Sequence, residues 1–464
     1  MRLAFVYPPQ EVCRIFYPEK IRRQYNREGA ILPPLGIAYL AAILEKKHVV
    51  KIIEANALRL SLDEVIDQLR DFKPDALLFS LITTDFRPNL EWIKAIKKQI
   101  DVPVIVGGPQ PSIYPTETLT YDEIDFCVVG EGWETLPELL DCVAGKGDYK
   151  SVKGIALKEN GEIVLTEKRQ AKLNINNVPF PARHLLPNES YTTILSKRRP
   201  ITAIMSSSGC PFNCLYCGHS YDVILRDPVR VVDEMEECAK KYGIKEILFY
   251  DETFSLDKHR AAMICEELIK RKLDIACTIR TRADLVDELL VKLFARAGCI
   301  RISFGIESAD PEALKWLRRN LSLPQIVDAV RWAKREKIDT LGFFMIGYPG
   351  ESAQGIQKTI ALAKQLDLDY VQINKLVTLP DTQLYTMFKE KTGKDLWRDY
   401  VLGKADFASF APLNSKLTVE ELDMWLKKAY RSFYFRPRYI LNRLRNVTSF
   451  KEFCGLVNSA LSLR

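Results

Sequence analysis

The sequence predicts an α/β protein with two consecutive parallel sheets, the first doubly wound and the second a partial (βα)6 barrel, followed by a helical C-terminal region. Three observations carry this. Short apolar runs alternate with helical patterns over residues 1–145, and a second such series starts near residue 201. The runs are almost continuously apolar, as in strands buried on both faces. Between the series lies a stretch with different chemistry, an Asn-Gly turn and a proline-punctuated connector. At 464 residues the chain has room for about three domains. Its 47% hydrophobic content excludes a mostly disordered protein.

In the first series, strands are expected at 3–7, 49–53, 76–81, 104–106 and 126–129, with helices near 36–46, 62–72, 90–98 and 135–143. The second of these helices is announced by Ser61-Leu-Asp-Glu64, a capping box in which the serine and glutamate satisfy each other's backbone N–H groups. Lys158-Glu-Asn-Gly-Glu162 sits between two alternating runs and predicts a hairpin. With Pro179, Pro181 and Pro187 it makes 146–195 a hairpin and linker. The second series, 196–395, predicts strands at 201–205, 246–250, 275–279, 300–305, 340–346 and 370–376, with helices at 228–242, 257–271, 286–297, 324–336 and 352–365. Six βα units are too few for a complete eight-fold barrel. Residues 396–464 lose the alternation and read as helical.

Lys+Arg exceed Asp+Glu by 67 to 60, a surplus of +7. The window 424–451 alone holds eight basic residues (Lys427, Lys428, Arg431, Arg436, Arg438, Arg443, Arg445 and Lys451) and no acidic one. The surplus therefore belongs to the tail and does not mark a basic nucleic-acid-binding body. No apolar run approaches the ~18 residues that span a bilayer. The start, Met1 to Pro9, is broken by proline too soon for a signal peptide, so the cytoplasm is the expected compartment. Eleven cysteines, an odd number, make a poor disulfide framework in such a chain.

Eight cysteines are scattered and three are not. Cys210-Pro-Phe-Asn-Cys214-Leu-Tyr-Cys217 directly follows the first strand of the second series. Three thiolates within eight residues on a loop suit an iron–sulfur cluster, with zinc the alternative if His219 joins them. The C-x3-C-x2-C spacing, with an aromatic before the last cysteine and a glycine after it, resembles the signature of the radical SAM superfamily. That resemblance implies a [4Fe-4S] cluster on Cys210, Cys214 and Cys217, with one iron open to S-adenosylmethionine (SAM). It implies further contacts at the following strand ends. Asp251 and Glu252, in Phe249-Tyr-Asp-Glu-Thr-Phe254, would meet the SAM ammonium. Arg282, in Arg280-Thr-Arg-Ala-Asp284, would face its carboxylate or ribose. Glu307, in Gly305-Ile-Glu-Ser308, would point into the barrel, and Gly347, in Gly342 to Glu351, would lie against the adenine. Leu379-Pro-Asp-Thr382 departs from the family's Pro-Gly-Thr.

The first series resembles the Rossmann-like cobalamin-binding domain that precedes the radical SAM barrel in the B12-dependent subgroup. The matching stretches are Pro33-Pro-Leu-Gly36, Gly107-Gly-Pro-Gln110 and Gly130-Glu-Gly132. By position, Pro8, Pro9, Thr83, Thr84, Gly107, Gly108, Gln110, Gly130, Glu131 and Gly132 would hold cobalamin. The Asp-x-His-x-x-Gly motif of classical cobalamin mutases is missing, and the domain's single histidine, His48, falls between a helix and a strand. No protein histidine is therefore expected on cobalt.

What the resemblance implies is an enzyme in which a 5′-deoxyadenosyl radical takes hydrogen from an unactivated carbon and a methyl group then comes from methylcobalamin. A cyclase or rearrangement enzyme without methyl transfer, and a non-catalytic cluster- and SAM-binding scaffold, remain alternatives. Expected partners are a small-molecule or lipid substrate and an external electron donor of flavodoxin or ferredoxin type, with nucleic acid disfavoured. For the tail three readings stay open: a helix packed on the barrel, peripheral membrane contact through 424–451, and an anionic-substrate site. Pro437 interrupts any single helix there.

Overall fold

The computed structural model describes residues 1–10, 30–170, 175–218, 222–407, 410 and 416–446. His219, Cys13, Cys454 and Lys451 lie outside the described residues, as do the side chains of Arg443 and Arg445.

The first sheet is built from β1 (Arg2–Tyr7), β2 (Val49–Glu54), β3 (Ala76–Ser80), β4 (Val104–Gly107), β5 (Phe126–Val128), β6 (Ile155–Glu159) and β7 (Glu162–Leu165). Its order is β2-β1-β3-β4-β5-β6-β7. β1 pairs in parallel with both β2 and β3, so the strand order reverses there, the place where doubly wound sheets open a crevice for ligands. Alternate residues along each strand face opposite helix layers. Leu3 and Phe5 pack with the helices Leu35–Leu44 and Gly132–Val143. Ala4 and Val6 pack with Leu62–Phe72 and Phe86–Lys97. The capping box at Ser61 forms as the spacing predicts, with Glu64 Oε2 accepting from Ser61 N–H at 2.7 Å. The Asn-Gly hairpin, β6–β7, pairs antiparallel onto β5 and so extends the first sheet instead of standing free in the linker.

The second sheet contains β8 (Ile201–Ile204), β11 (Glu246–Phe249), β12 (Ala276–Thr281), β13 (Cys299–Glu307), β14 (Asp339–Ile346) and β15 (Tyr370–Lys375). All are parallel, in the order β15-β14-β13-β12-β11-β8. A short ribbon of β9 (Ser207–Ser208) and β10 (Ile224–Leu225) follows the first strand. Ile279, Ile302, Phe304, Phe344 and Ile373 point into one apolar layer beneath the outer helices. Their strand neighbours consequently face the inside of the partial barrel.

The C-terminal region divides between the two sheets. Leu396–Val401 returns to the first: Trp397 is fully buried in its core, and the Tyr114 and Tyr385 hydroxyls both donate to Asp395 Oδ1, at 2.9 and 2.7 Å. Val419–Tyr434 instead covers the free edge of the barrel. Tyr430 Oη bonds both the N–H and the C=O of Ile373, and Tyr434 Oη does the same for Val371. An unpaired strand edge is thus satisfied by two phenols one helical turn apart. Pro437 opens a separate helix, Pro437–Asn446. No helix among the described residues is long and apolar enough to cross a membrane.

Candidate active site

The three cysteines ride on the loop between β9 and β10, beyond the carboxyl end of β8. Cys214 is buried, Cys210 half-buried and Cys217 exposed. Although Cys217 is exposed as a residue, desolvation of its thiol within the loop pushes it up to about 11, and Cys214 and Cys210 beside it add to the rise. Cys210 is raised by the same desolvation, opposed by hydrogen bonds from Phe212 N–H and Thr253. Among the described residues no three His, Cys, Asp or Glu side chains gather around the position of a single metal ion. A polynuclear cluster spreads its thiolates over several irons, so this donor set fits a cluster with three cysteines and one open iron.

Around the loop the barrel supplies buried charge. Glu307 ends β13 at a bulge, with φ +68°, a conformation rarely adopted by a side-chain-bearing residue. Burial raises its carboxyl, and its partners are the Tyr216 hydroxyl and the Arg319 guanidinium 3.9 Å away. Arg319 also donates to Gly305 O at 2.8 Å and lies 3.9 Å from Cys214 Sγ. A Cβ on Gly305 would stand 2.8 Å from Glu307 Oε1 and collide with the Arg319 guanidinium, so a side chain there would have to displace this pair. Tyr216 and Arg319 form this bridge from loop to strand, and sequence reasoning gave neither a role. Only the aromatic before Cys217 was a signal, and nothing near Arg319 announces it.

Arg282 is buried, holds Asp284 through two contacts of 2.9 Å and stacks 3.9 Å over the Phe212 ring within the cysteine loop. Its Nη1 is buried without a hydrogen-bond partner among the described residues. Glu252 acts electrostatically on Cys210 and Cys217, so it stands at the cluster loop. Asp251 does not join it. Fully buried, it accepts from Ser206 N–H at 2.7 Å, Ser206 Oγ at 2.5 Å and Ser207 Oγ at 2.7 Å, which ties β11 to β9. Its short side chain is spent on hydroxyls behind the loop. Gly347 caps β14 and donates its N–H to Glu351 at 2.5 Å.

At the first sheet a cavity of about 150 Å³ opens between the helices Leu35–Leu44 and Gly132–Val143. Gly107, Gly108, Gly130, Glu131 and Gly132 all line it, with Phe5, Ser80, Leu78 and Trp133. Gly108 has φ +95°, and a Cβ on it would sit 2.8 Å from Leu81 O. Four of the five predicted residues present backbone alone, which suits close approach by a large ligand. Gln110 is not among them: fully buried, it donates to Thr118 Oγ1 at 3.1 Å and braces the loop from below. Pro8, Pro9, Thr83 and Thr84 stand instead at the ends of β1 and β3, on either side of the strand-order reversal. Thr83 is 3% exposed, and its Oγ1 lacks a partner among the described residues. His48 precedes β2, at the opposite end of the strands from the crevice.

The first-sheet cavity adjoins the barrel: Trp133, which lines it, packs in one apolar cluster with Ala203 and Met205 at the end of β8. Tyr7, the last residue of β1, is raised above its ordinary value chiefly by burial, and Glu54, Tyr250 and Asp85 add to the rise. Tyr250, just past β11, thus lies across from the end of the first sheet.

Comparisons with known proteins match this two-part layout. The B12 binding domain family matches residues 27–140, and the Radical SAM superfamily matches residues 204–363. An uncharacterized methyltransferase of Pyrococcus horikoshii is 33% identical over 452 residues, covering 95% of this chain and 94% of that one. An anaerobic magnesium-protoporphyrin IX monomethyl ester cyclase of Rubrivivax gelatinosus is 28% identical, covering 84% of this chain and 70% of its own. Among solved structures, the cobalamin-dependent SAM radical enzyme OxsB covers 98% of this chain and 70% of its own, with a TM-score of 0.72 and 19% identity. The radical SAM methyltransferase TsrM from Kitasatospora setae covers 84% and 78%, with a TM-score of 0.69 and 19% identity. At such identities these two establish the fold. The two domains bring the cofactors expected from the sequence: a [4Fe-4S] cluster, SAM and cobalamin. The chain belongs to the radical SAM superfamily, as an enzyme whose radical SAM domain is preceded by a B12-binding domain.

Proposed function

We propose that this enzyme is a cobalamin-dependent C-methyltransferase acting on a small molecule. The observation that supports the reading is that the first-sheet cavity adjoins the end of β8, which leads into the cysteine loop: Trp133, a lining residue of the cavity, shares one apolar cluster with Ala203 and Met205. A substrate carbon between the two sites would be within reach of both cofactors. Bound there, the cluster and SAM supply a radical that removes a hydrogen atom from an unactivated carbon, and cobalamin supplies the methyl group.

The chain's own residues have separable tasks. Cys210, Cys214 and Cys217 hold the cluster, and Arg319 and Glu307 fix their loop against β13. The spare Nη1 of Arg282 meets the SAM carboxylate, Glu252 its ammonium, and the backbone at Gly347 its adenine. Gly107, Gly108, Gly130, Glu131 and Gly132 take the part of cobalamin that enters the cavity. Pro8, Pro9, Thr83 and Thr84, at the ends of β1 and β3, would hold the rest of the cobalamin. Electrons come from a flavodoxin- or ferredoxin-type donor.

Methyl transfer draws on the relative with 33% identity, whose name is methyltransferase. The 28% relative is a cyclase, which keeps ring closure as the second reading. Anaerobic reconstitution with SAM, cobalamin and a low-potential reductant separates them. S-adenosylhomocysteine together with 5′-deoxyadenosine is the expected product pair. Deoxyadenosine alone would favour the cyclase reading, and neither product with the cluster present would leave a binding scaffold.

A further inference from the structure

The inside of the partial barrel is set by strand register. Arg280 on β12 pairs with Ser303 on β13, Ser303 with Leu341 on β14, and Leu341 with Tyr370 on β15. One step up, Gly305 pairs with Phe343 and Phe343 with Gln372. The residues between these positions, Ile279, Ile302, Phe304 and Phe344, are buried in the outer apolar layer. Side chains alternate faces along a strand, so Arg280 projects into the barrel. Its guanidinium lies 5.9 Å from the centre of the Phe343 ring and acts on Tyr250, the residue facing the first sheet.

The other barrel-facing charges are matched. Glu307 has Arg319 and Tyr216. Arg301 lies 3.6 Å from Asp339 and over the Tyr370 ring. Arg282 is held by Asp284. Arg280 differs: it is exposed, and no carboxylate of the described residues forms an ion pair with it. An arginine beside an aromatic wall is a site for a flat or anionic group, because the guanidinium offers several donors in one plane and stacks on rings.

We propose that the barrel takes a substrate carrying a carboxylate or phosphate, with Arg280 as its counter-ion and Phe343 as the adjoining wall. The proposal rests on reading the barrel mouth as the substrate site. It places the anion inside the barrel, against Phe343. Arg280 is then a specificity-determining residue.

The test is equilibrium binding to the anaerobic holoenzyme loaded with cluster, SAM and hydroxocobalamin, using benzoate, phenyl phosphate and neutral benzamide as probes. In the unaltered protein at least one anionic probe should bind ten-fold or more tighter than benzamide. Arg280→Gln should remove that preference, Arg280→Lys should keep part of it, and benzamide should bind all three proteins alike. Benzoate against phenyl phosphate distinguishes carboxylate from phosphate. SAM and cobalamin affinities in Arg280→Gln should stay within two-fold, which also shows that the variant is folded and loaded. Benzamide binding as tightly as both anions in the unaltered protein would overturn the proposal. So would a ten-fold loss of SAM affinity in Arg280→Gln, since the arginine would then serve SAM's own carboxylate. None of these measurements needs turnover, so failure of methyl transfer and failure of the anion site are read separately.

Discussion

The two sheets end in opposite chemistries. The crevice of the first is lined mostly by backbone and apolar side chains, Gly107, Gly108, Gly130 and Gly132 beside Phe5 and Leu78, with Glu131 its one carboxylate among the lining residues. The mouth of the second is crowded with buried charge, Glu307, Arg319 and Arg282 around three thiols. A large ligand with neutral amide edges needs room and backbone donors. A charged ligand on an anionic cluster needs fixed counter-charges that do not reorganise. The difference also predicts how each site fails: the first through shape, the second through uncompensated charge.

The sharpest way to break the comparison is to remove the cluster. Cys214→Ala takes away the buried thiol of the three and should abolish the four-iron absorbance and deoxyadenosine formation. Cobalamin affinity should stay within two-fold, because Cys210, Cys214 and Cys217 are not among the residues lining the first crevice. Loss of both cofactors together would show that the sites are one unit. Next in size is Glu307→Leu, which leaves Arg319 buried without its carboxylate and the Tyr216 hydroxyl without its acceptor. Breaking a buried pair on one side costs about 3–5 kcal/mol. Denaturant unfolding should show a loss of that order, and Glu307→Gln a smaller one.

How much of this was legible follows from how local each signal is. The strands of the first sheet were readable because a strand buried on both faces is nearly continuously apolar, as in Ala76–Ser80 and Val104–Gly107, and those of the second because at least one face of each is apolar. The cysteine loop was readable because ligand spacing is a covalent property of the chain. Partner choice was not. The Asn-Gly turn predicted a hairpin, and nothing in it says that β6 pairs with β5. Asp251 and Glu252 are adjacent carboxylates after a strand, and only the fold turns one to the serines and the other to the cysteines. Arg319 lies 105 residues from Cys214, beyond the reach of any local pattern. In the tail the charges drew attention, whereas the structural information lay in the spacing of Tyr430 and Tyr434, four residues apart on one helical face. That face is packed on β15, which is the packed-helix reading of the three.

At the first sheet, failure through shape has a direct test. Gly108→Ala forces a Cβ to 2.8 Å from Leu81 O at a φ of +95°. Such strain costs about 1–3 kcal/mol. Gly108 lines the cavity, so a shift of its loop changes the cavity's shape, and cobalamin affinity should fall at least ten-fold while iron content is unchanged. Gly130→Ala is the control: its φ is +84°, but its Cβ would meet nothing within 4 Å, so a smaller effect on cobalamin is expected.

The smallest effect concerns a feature the two sites share. Each sheet carries a buried carboxyl near its strand ends. Burial pushes Glu54, at the end of β2, up to about 7, against two hydrogen bonds from Ala57 and Asn56 that oppose it. Burial pushes Glu351, beyond β14, up to about 8, against hydrogen bonds from Gly347 and Tyr348. Both start from an ordinary value of 4.5, so the folded protein binds more protons than the unfolded chain above that pH. Their contribution to stability is therefore complete below about pH 4.5 and is lost as pH rises, through about 7 for Glu54 and about 8 for Glu351. Glutamine at either position keeps a carbonyl oxygen for the backbone donors and removes the proton. Glu54→Gln and Glu351→Gln should accordingly match the unaltered protein near pH 5 and melt a few degrees higher near pH 9. The gain should level off near pH 7 for the first and near pH 8 for the second. A thermal midpoint that differs from the unaltered protein equally at both pH values would mean that the carboxyls are ionised in the fold.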